Sequence, residues 1–323
     1  MQGIPRFLLR MLGFTAFCAA LYPLLISALS LAAPDGYVPN IRYPLNGYGH
    51  QRTRMAEVEG HGPVDIVFLG SSHAYRGFDP RIWARRGHSS FNLGSTDQSL
   101  LQTELLVPAE LRDLHPKLVI IEVHPGPFRE SGVESALDLI ANRRIDRHTL
   151  RMALRLRHPY VWNAMAYGVL RQAAGYDGRF VEPRRRKEDL YIDGGFVERT
   201  EGHFTPSESA TREDADPAPL QWAAFQRVLA DLRAQDIEFI LVEAPMTHWM
   251  NEGIYPDRAG FDSLMHASGR YISMNRKLAL DDSLHFFTKG HLNQSGVELF
   301  NEALIDTLER RGWLPEAGGA DHP

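Results

Sequence analysis

Cysteine is nearly missing from this chain: Cys18 is the only one in 323 residues. No internal disulfide can form, and because Cys18 sits inside the first apolar run, the cysteine count says nothing about compartment. A basic excess is missing too. The formal net charge is −5, and with no RNA- or DNA-binding motif present, nucleic acid is not expected as a partner. No GxGxxG or Walker loop follows a strand-like run, and no HExxH or closely spaced Cys/His set occurs, so neither a cofactor nor a metal is expected. What remains is the balance of a globular protein, 44% hydrophobic and 23% charged, long enough for one large domain or two ordinary ones.

Only one run is long and wholly apolar. Met11 to Ala33 covers 23 residues without a charge, and Arg6 and Arg10 precede it. A secretory h-region has about 7–15 residues and a bilayer span about 20, so the length favours an uncleaved signal anchor over a cleaved leader. Ser30-Leu31-Ala32 nevertheless has the small-x-small form of a cleavage site. The flanking arginines belong on the cytoplasmic side, which puts everything after Ala33 outside, with membrane lipid as a partner of the helix. Bulky Phe17 makes Cys18 a poor lipoprotein cysteine. Residues 1–33 thus read as a cytoplasmic tip and anchor. Residues 34–63, with Gly, Pro, Asn and His, read as a stalk.

From Val64 the chain alternates strand, loop and helix. Ile66 to Leu69 is a β-branched-rich run suited to a strand buried on both faces, and it stops at Gly70-Ser71-Ser72. Ser72 is thereby left at the carboxyl end of a central strand, where open α/β sheets bind ligands. Further strands are expected at Ser89–Leu93, Leu118–Val123 and Ile237–Val242, and helices at Ser99–Leu114, Leu220–Leu232, Arg258–Gly269 and Val297–Arg310. This alternation predicts a mostly parallel sheet covered by helices on both sides, over residues 64–315, with a tail at 316–323.

An insertion at about 130–216 separates the third and fourth strands. Arg143 to Lys187 holds twelve Lys or Arg against three Asp or Glu. Arg147, Arg151 and Arg155 recur every four residues with leucines between them, and Tyr160, Trp162 and Tyr167 follow. The pattern predicts a helical subdomain, with its basic face either merely solvated or meeting an anionic lipid, an anionic polymer or a membrane partner. Glu198 to Pro219 reads as a loop returning to the core.

Near the C-terminus, Asp281-Asp282-Ser283-Leu284-His285 and Lys289-Gly290-His291-Leu292-Asn293-Gln294-Ser295-Gly296 put two histidines ahead of the closing helix. The order FLGSSH, FNLG, PKLVIIEVHP, HLNQSGVELFNEAL resembles the SGNH/GDSL hydrolase superfamily, in particular its membrane-anchored bacterial branch of cell-envelope acyl-transfer proteins. The resemblance covers the core from about Val64 to Leu304 except the insertion. It implies a three-layer α/β/α domain, Ser72 as nucleophile, Gly94 in the oxyanion hole and His291 as base. Two family features are replaced here. Thr288 stands where an aspartate three residues before the histidine is usual, and Glu122-Val123-His124-Pro125-Gly126 lacks the usual asparagine.

Loss of the orienting acid in a serine triad costs about 10⁴ in rate, so substitutes are expected. Asp281 or Asp282 is the candidate to orient His291, and Asn92 or His124 the candidate oxyanion donor. His285, three residues after Asp282, is a rival base. The function implied is an exported, inner-membrane-anchored, periplasmic serine esterase or O-acyltransferase. Its partners would be an acylated envelope polysaccharide or small ester, with a membrane-bound acyltransferase as a further candidate. The alternative is a non-catalytic accessory of the same fold that binds glycan or docks on such an acyltransferase.

Overall fold

Five short strands line up as one parallel sheet in the computed structural model, which describes residues 3–32, 43–45, 47–200, 202–205, 211–275 and 277–316. The strands are β1 (Ile66–Leu69), β2 (Ser90–Asn92), β3 (Leu118–Glu122), β4 (Glu238–Glu243) and β5 (Arg270–Ser273), in the order β2-β1-β3-β4-β5. Every pairing is parallel. Burial of alternate side chains on both faces explains why the central strands β1, β3 and β4 are apolar through their middles. Val67, Leu69, Val119, Ile121 and Leu241 enter one core, with side chains of helices Leu100–Leu114, Pro219–Ala234 and Ala259–Ser268. Ile66, Phe68, Leu118, Ile120, Ile240 and Val242 enter the other, with helices Pro80–Arg85 and Gln294–Arg310. This is the expected α/β architecture: a mostly parallel sheet between two helical layers.

The strand β5 has no counterpart in the sequence reading. It is an edge strand that buries only Tyr271 and Ile272, too few apolar positions to stand out from the preceding helix.

The chain leaves β1 for β2 on one side and reaches β3 on the other, so the carboxyl ends of β1 and β3 flank a topological switch point, the usual crevice of an open α/β sheet. Gly47–His50, within the expected stalk, and Arg186, Lys187 and Asp189 of the insertion line it. Gln51–Val58 is a helix with Gln51, Arg54, Met55 and Val58 buried in the domain, where a stalk was expected. Residues 34–42 and 46 of the expected stalk, and residues 317–323 of the tail, lie outside the described residues. The insertion is helical only in its first half, over Val133–Asn142, Arg147–Leu156 and Pro159–Ala173. Its second half forms antiparallel strands Arg185–Arg186, Asp189–Ile192 and Phe196–Arg199, which dock on β2 through Asn92 N–H donating to Gly194 O at 2.8 Å. The charge density of RRRK hid this sheet: its apolar content is confined to a few positions such as Tyr191, Phe196 and Val197.

The N-terminal helix Gly3–Ala32 is the one described helix long and apolar enough to cross a membrane, with a mean hydropathy of 1.9 over its best stretch.

Candidate active site

The turn after β1 sets the position of Ser72. Gly70 takes φ +147°, and a side chain there would fall 2.7 Å from Glu122 Cβ, so the turn is open only to glycine. Ser71 caps the short helix Ser72–Gly77 by accepting His73 N–H at 3.3 Å. Ser72 is the first residue of that helix, and its N–H has no acceptor within the helix.

His291 arrives on a hairpin. Phe286–Thr288 and His291–Leu292 pair antiparallel, with His291 directly opposite Thr288 across the two residues Lys289 and Gly290. The i,i+3 spacing therefore places residue 288 against the imidazole. Nε2 of His291 lies 2.7 Å from Ser72 Oγ, and Nδ1 lies 2.7 Å from Thr288 Oγ1. Burial, then the neighbouring His73, Arg76, His124 and Arg199, hold the His291 pKa well below the ordinary 6.5. The ring is accordingly neutral at physiological pH. In the tautomer whose Nδ1–H donates to Thr288 Oγ1, Nε2 is left to accept the Ser72 hydroxyl proton.

The other expected partners are placed differently. Asp282 does not reach His291: its Oδ1 accepts His248 N–H and lies 2.9 Å from His248 Nδ1, while Oδ2 accepts Trp249 N–H at 3.3 Å. It caps the turn that opens Trp249–Ile254. Asp281 is spent on Ser283 and Leu284 N–H. His285, the rival base, has its Nδ1 occupied by Asp281 N–H at 2.9 Å. Asn92 offers no free donor either. Its side-chain amide gives hydrogen bonds to Ala74 O and Phe78 O, and its Oδ1 accepts Gly94 N–H at 3.0 Å. The Gly94 amide assigned to the oxyanion hole is thus already donated. What position 94 requires is smallness, because a side chain would fall 2.9 Å from Ala74 Cβ.

His124 belongs to a second cluster directly behind the first. Its Nδ1 lies 3.0 Å from Glu122 Oε1, and its ring stacks on His73 at 4.1 Å with an interplanar angle of 16°. His73 in turn meets His291 edge-on at 5.4 Å, and its Nδ1 lies 3.7 Å from Glu122 Oε1. Glu122 is 3% exposed. Burial alone would raise its pKa, but His124 and then His73 outweigh this and hold the carboxyl far below its usual range. His73, Glu122 and His124 have the residue types and proximity of a metal site. Their geometry does not fit one, because two nearly parallel stacked rings cannot both point an in-plane lone pair at a single ion. The sequence reading missed this cluster. Its signal was an acidic residue closing an apolar strand, with a histidine two residues on and therefore on the same side.

Ser72, Thr96, Phe287, Thr288 and His291 open on a cavity of about 500 Å³. Arg76, clamped to Asp189 at 3.0 and 2.7 Å, and Tyr75, 3.2 Å from Thr96 Oγ1, form more of its wall. Phe287 stacks on His291 at 5.5 Å, while Arg199 lies 4.5 Å over the Phe287 ring.

No family model matches the chain, and no curated protein matches it. Solved structures do align along most of its length. One is a proposed acylhydrolase from Bacteroides fragilis, 10% identical, aligned over 82% of this chain and 98% of its own, with a TM-score of 0.39. Another is a GDSL-like lipase from Bacteroides thetaiotaomicron, 11% identical, aligned over 81% and 98%, also at 0.39. Likeness at that level leaves the chemistry to be argued from the site itself.

Proposed function

We propose that this chain is a serine esterase or O-acyltransferase of the SGNH/GDSL type, held to a membrane by its N-terminal helix with the domain outside the cytoplasm. Its substrates are acyl groups of a cell-envelope polysaccharide or related polymer. The observation that carries the reading is the 2.7 Å contact between Ser72 Oγ and His291 Nε2, at the sheet's switch point and open to a cavity. His291 Nε2 takes the Ser72 proton as Oγ bonds to the ester carbonyl carbon. The same proton is then given to the departing alkoxide as the C–O bond breaks, leaving an acyl-enzyme. Water or a sugar hydroxyl next gives its proton to Nε2 and attacks the acyl carbon, and Nε2 returns that proton to Ser72 Oγ as the bond from Oγ to the acyl carbon breaks. The Ser72 N–H is the oxyanion donor the turn leaves open, and Thr96 adds a hydroxyl to the cavity wall.

A second reading is favoured by two specific observations: His291 Nδ1 meets a hydroxyl rather than a carboxylate, and the Gly94 N–H is already used. On that reading the domain binds glycan or a membrane acyltransferase without turning over. The full chain in detergent decides between them. A serine-directed phosphonate should label Ser72, and acetate should be released from an activated ester by wild type but not by Ser72→Ala. Neither labelling nor release would leave the binding role.

A further inference from the structure

The N-terminal helix changes character along its length. From Ile4 to Ala20 its described side chains are exposed all round. From Leu21 a stripe turns inward: Leu21 and Pro23 are half-buried, and Ile26, Ser27 and Ser30 are buried. This stripe packs along the helix Pro159–Ala173, where Tyr22 OH donates to Asn163 Oδ1. The projecting part, Ile4–Ala20, measures about 26 Å at 1.5 Å per residue, but Arg6 and Arg10 mark its cytoplasmic end, so a hydrocarbon layer of about 30 Å reaches past Ala20. The outer edge of a bilayer around the helix therefore lies at or just beyond Tyr22, beside the packed segment that includes Asn163.

The corner where helix Arg147–Leu156 meets helix Pro159–Ala173 lies at that level, since Asn163 is in the first turns of the second helix. Its outward face is apolar, aromatic and basic at once. Leu154 is 54% exposed, Tyr160 40% and Trp162 37%, with Leu150 in the same stripe. Arg151 and Arg157 are exposed between them. Arg155 leaves the stripe, turning inward to pair with Glu104. Mixed aromatic and basic faces of this kind suit the headgroup layer, where rings sit at the acyl boundary and guanidinium groups reach anionic phosphate.

We infer that the corner formed by Leu150, Arg151, Leu154, Arg157, Tyr160 and Trp162 rests on the anionic headgroup surface of the membrane that the N-terminal helix crosses. The inference rests on reading that helix as a span and is independent of the chemistry at Ser72. The occupant is lipid because the helix brings the bilayer edge to this corner and the corner's charge is complementary to anionic phospholipid.

The test uses the full chain in nanodiscs, with lipids brominated high on the acyl chain as quenchers of tryptophan fluorescence. Brominated lipid should quench wild type well beyond Trp162→Phe. In anionic discs the difference should exceed that in zwitterionic discs, and it should shrink about twofold or more at high salt or in Arg151→Gln/Arg157→Gln, because the Debye length falls below about 8 Å above physiological ionic strength. Equal lipid quenching of wild type and Trp162→Phe, with Trp162 quenched by iodide from the water, would overturn the surface while leaving the span intact. Release of the full chain from membranes by carbonate would overturn the span and the surface together, whatever the esterase assay reports.

Discussion

Two histidine clusters lie back to back at the carboxyl edge of the sheet, and they divide what a serine triad usually keeps in one place. In front, His291 has the nucleophile at Nε2 but only the Thr288 hydroxyl at Nδ1. Behind, His124 has the buried carboxylate of Glu122 at Nδ1 but stacks on another imidazole. The carboxylate of this site thus belongs to a histidine that does not touch Ser72. A hydroxyl can hold the ring of His291 in place, but unlike a carboxylate it can donate as well as accept, and it brings no charge to favour the imidazolium that forms as Ser72 attacks. The difference separates orientation from charge stabilisation, two roles that one aspartate ordinarily performs together.

Removing the front cluster should have the largest effect. His291→Ala should lower kcat for an activated ester by about 10⁴ or more, matching Ser72→Ala, since the two act as one unit. Equal activity in His291→Ala and wild type would remove His291 from the mechanism.

Moving charge to the front comes next. Thr288→Asp should raise kcat/KM by about 10- to 100-fold, part of what a missing triad acid costs. It should also change the pH profile in a defined direction. Because the wild-type His291 pKa lies well below 6.5, the base stays unprotonated and the rate should be flat well into the acidic range. A carboxylate at 288 favours the imidazolium and moves the acidic limb upward. A profile that does not move would show that residue 288 does not act on the ring.

Taking charge from the back should do less. Glu122→Gln keeps an acceptor for His124 and should cost about tenfold in kcat, chiefly through the placement of His73 and the turn at Gly70. The carboxyl is held below its unfolded value, so its contribution to stability is present above pH 4.5 and fades as pH falls below that value. Wild type should therefore lose more stability than Glu122→Gln on acidification, as read by thermal midpoints across the acidic range. Asp282→Asn should be smallest, within about twofold in kcat/KM, because Asp282 serves His248 and Trp249. A loss approaching that of His291→Ala would restore Asp282 to the site.

These contrasts also show what was legible in the sequence. The strands β1, β3 and β4 announce themselves because burial on both faces demands uninterrupted apolar residues. Ser72 and His291 follow from where such a strand stops and where the closing helix begins. Loop conformation was not legible. Asp282 has the right chemistry at a plausible spacing, and only its commitment to the turn at His248 excludes it. Asn92 and Gly94 satisfy each other, a pairing that depends on how β2 ends rather than on residue type. Glu122 was in plain view at the end of an apolar strand, but its meaning required knowing that β1 and β3 are neighbours.

The helix that projects from the domain continues without interruption into the stripe packed on Pro159–Ala173. If the projecting part is held in a bilayer, the cavity works at one fixed height, like a tool bolted to a bench rather than hung on a cord. Ligands presented at that height are met often, by diffusion in two dimensions, while those farther from the surface are not met at all. The length of that helix, more than the shape of the cavity, then sets how far from the membrane the site can reach.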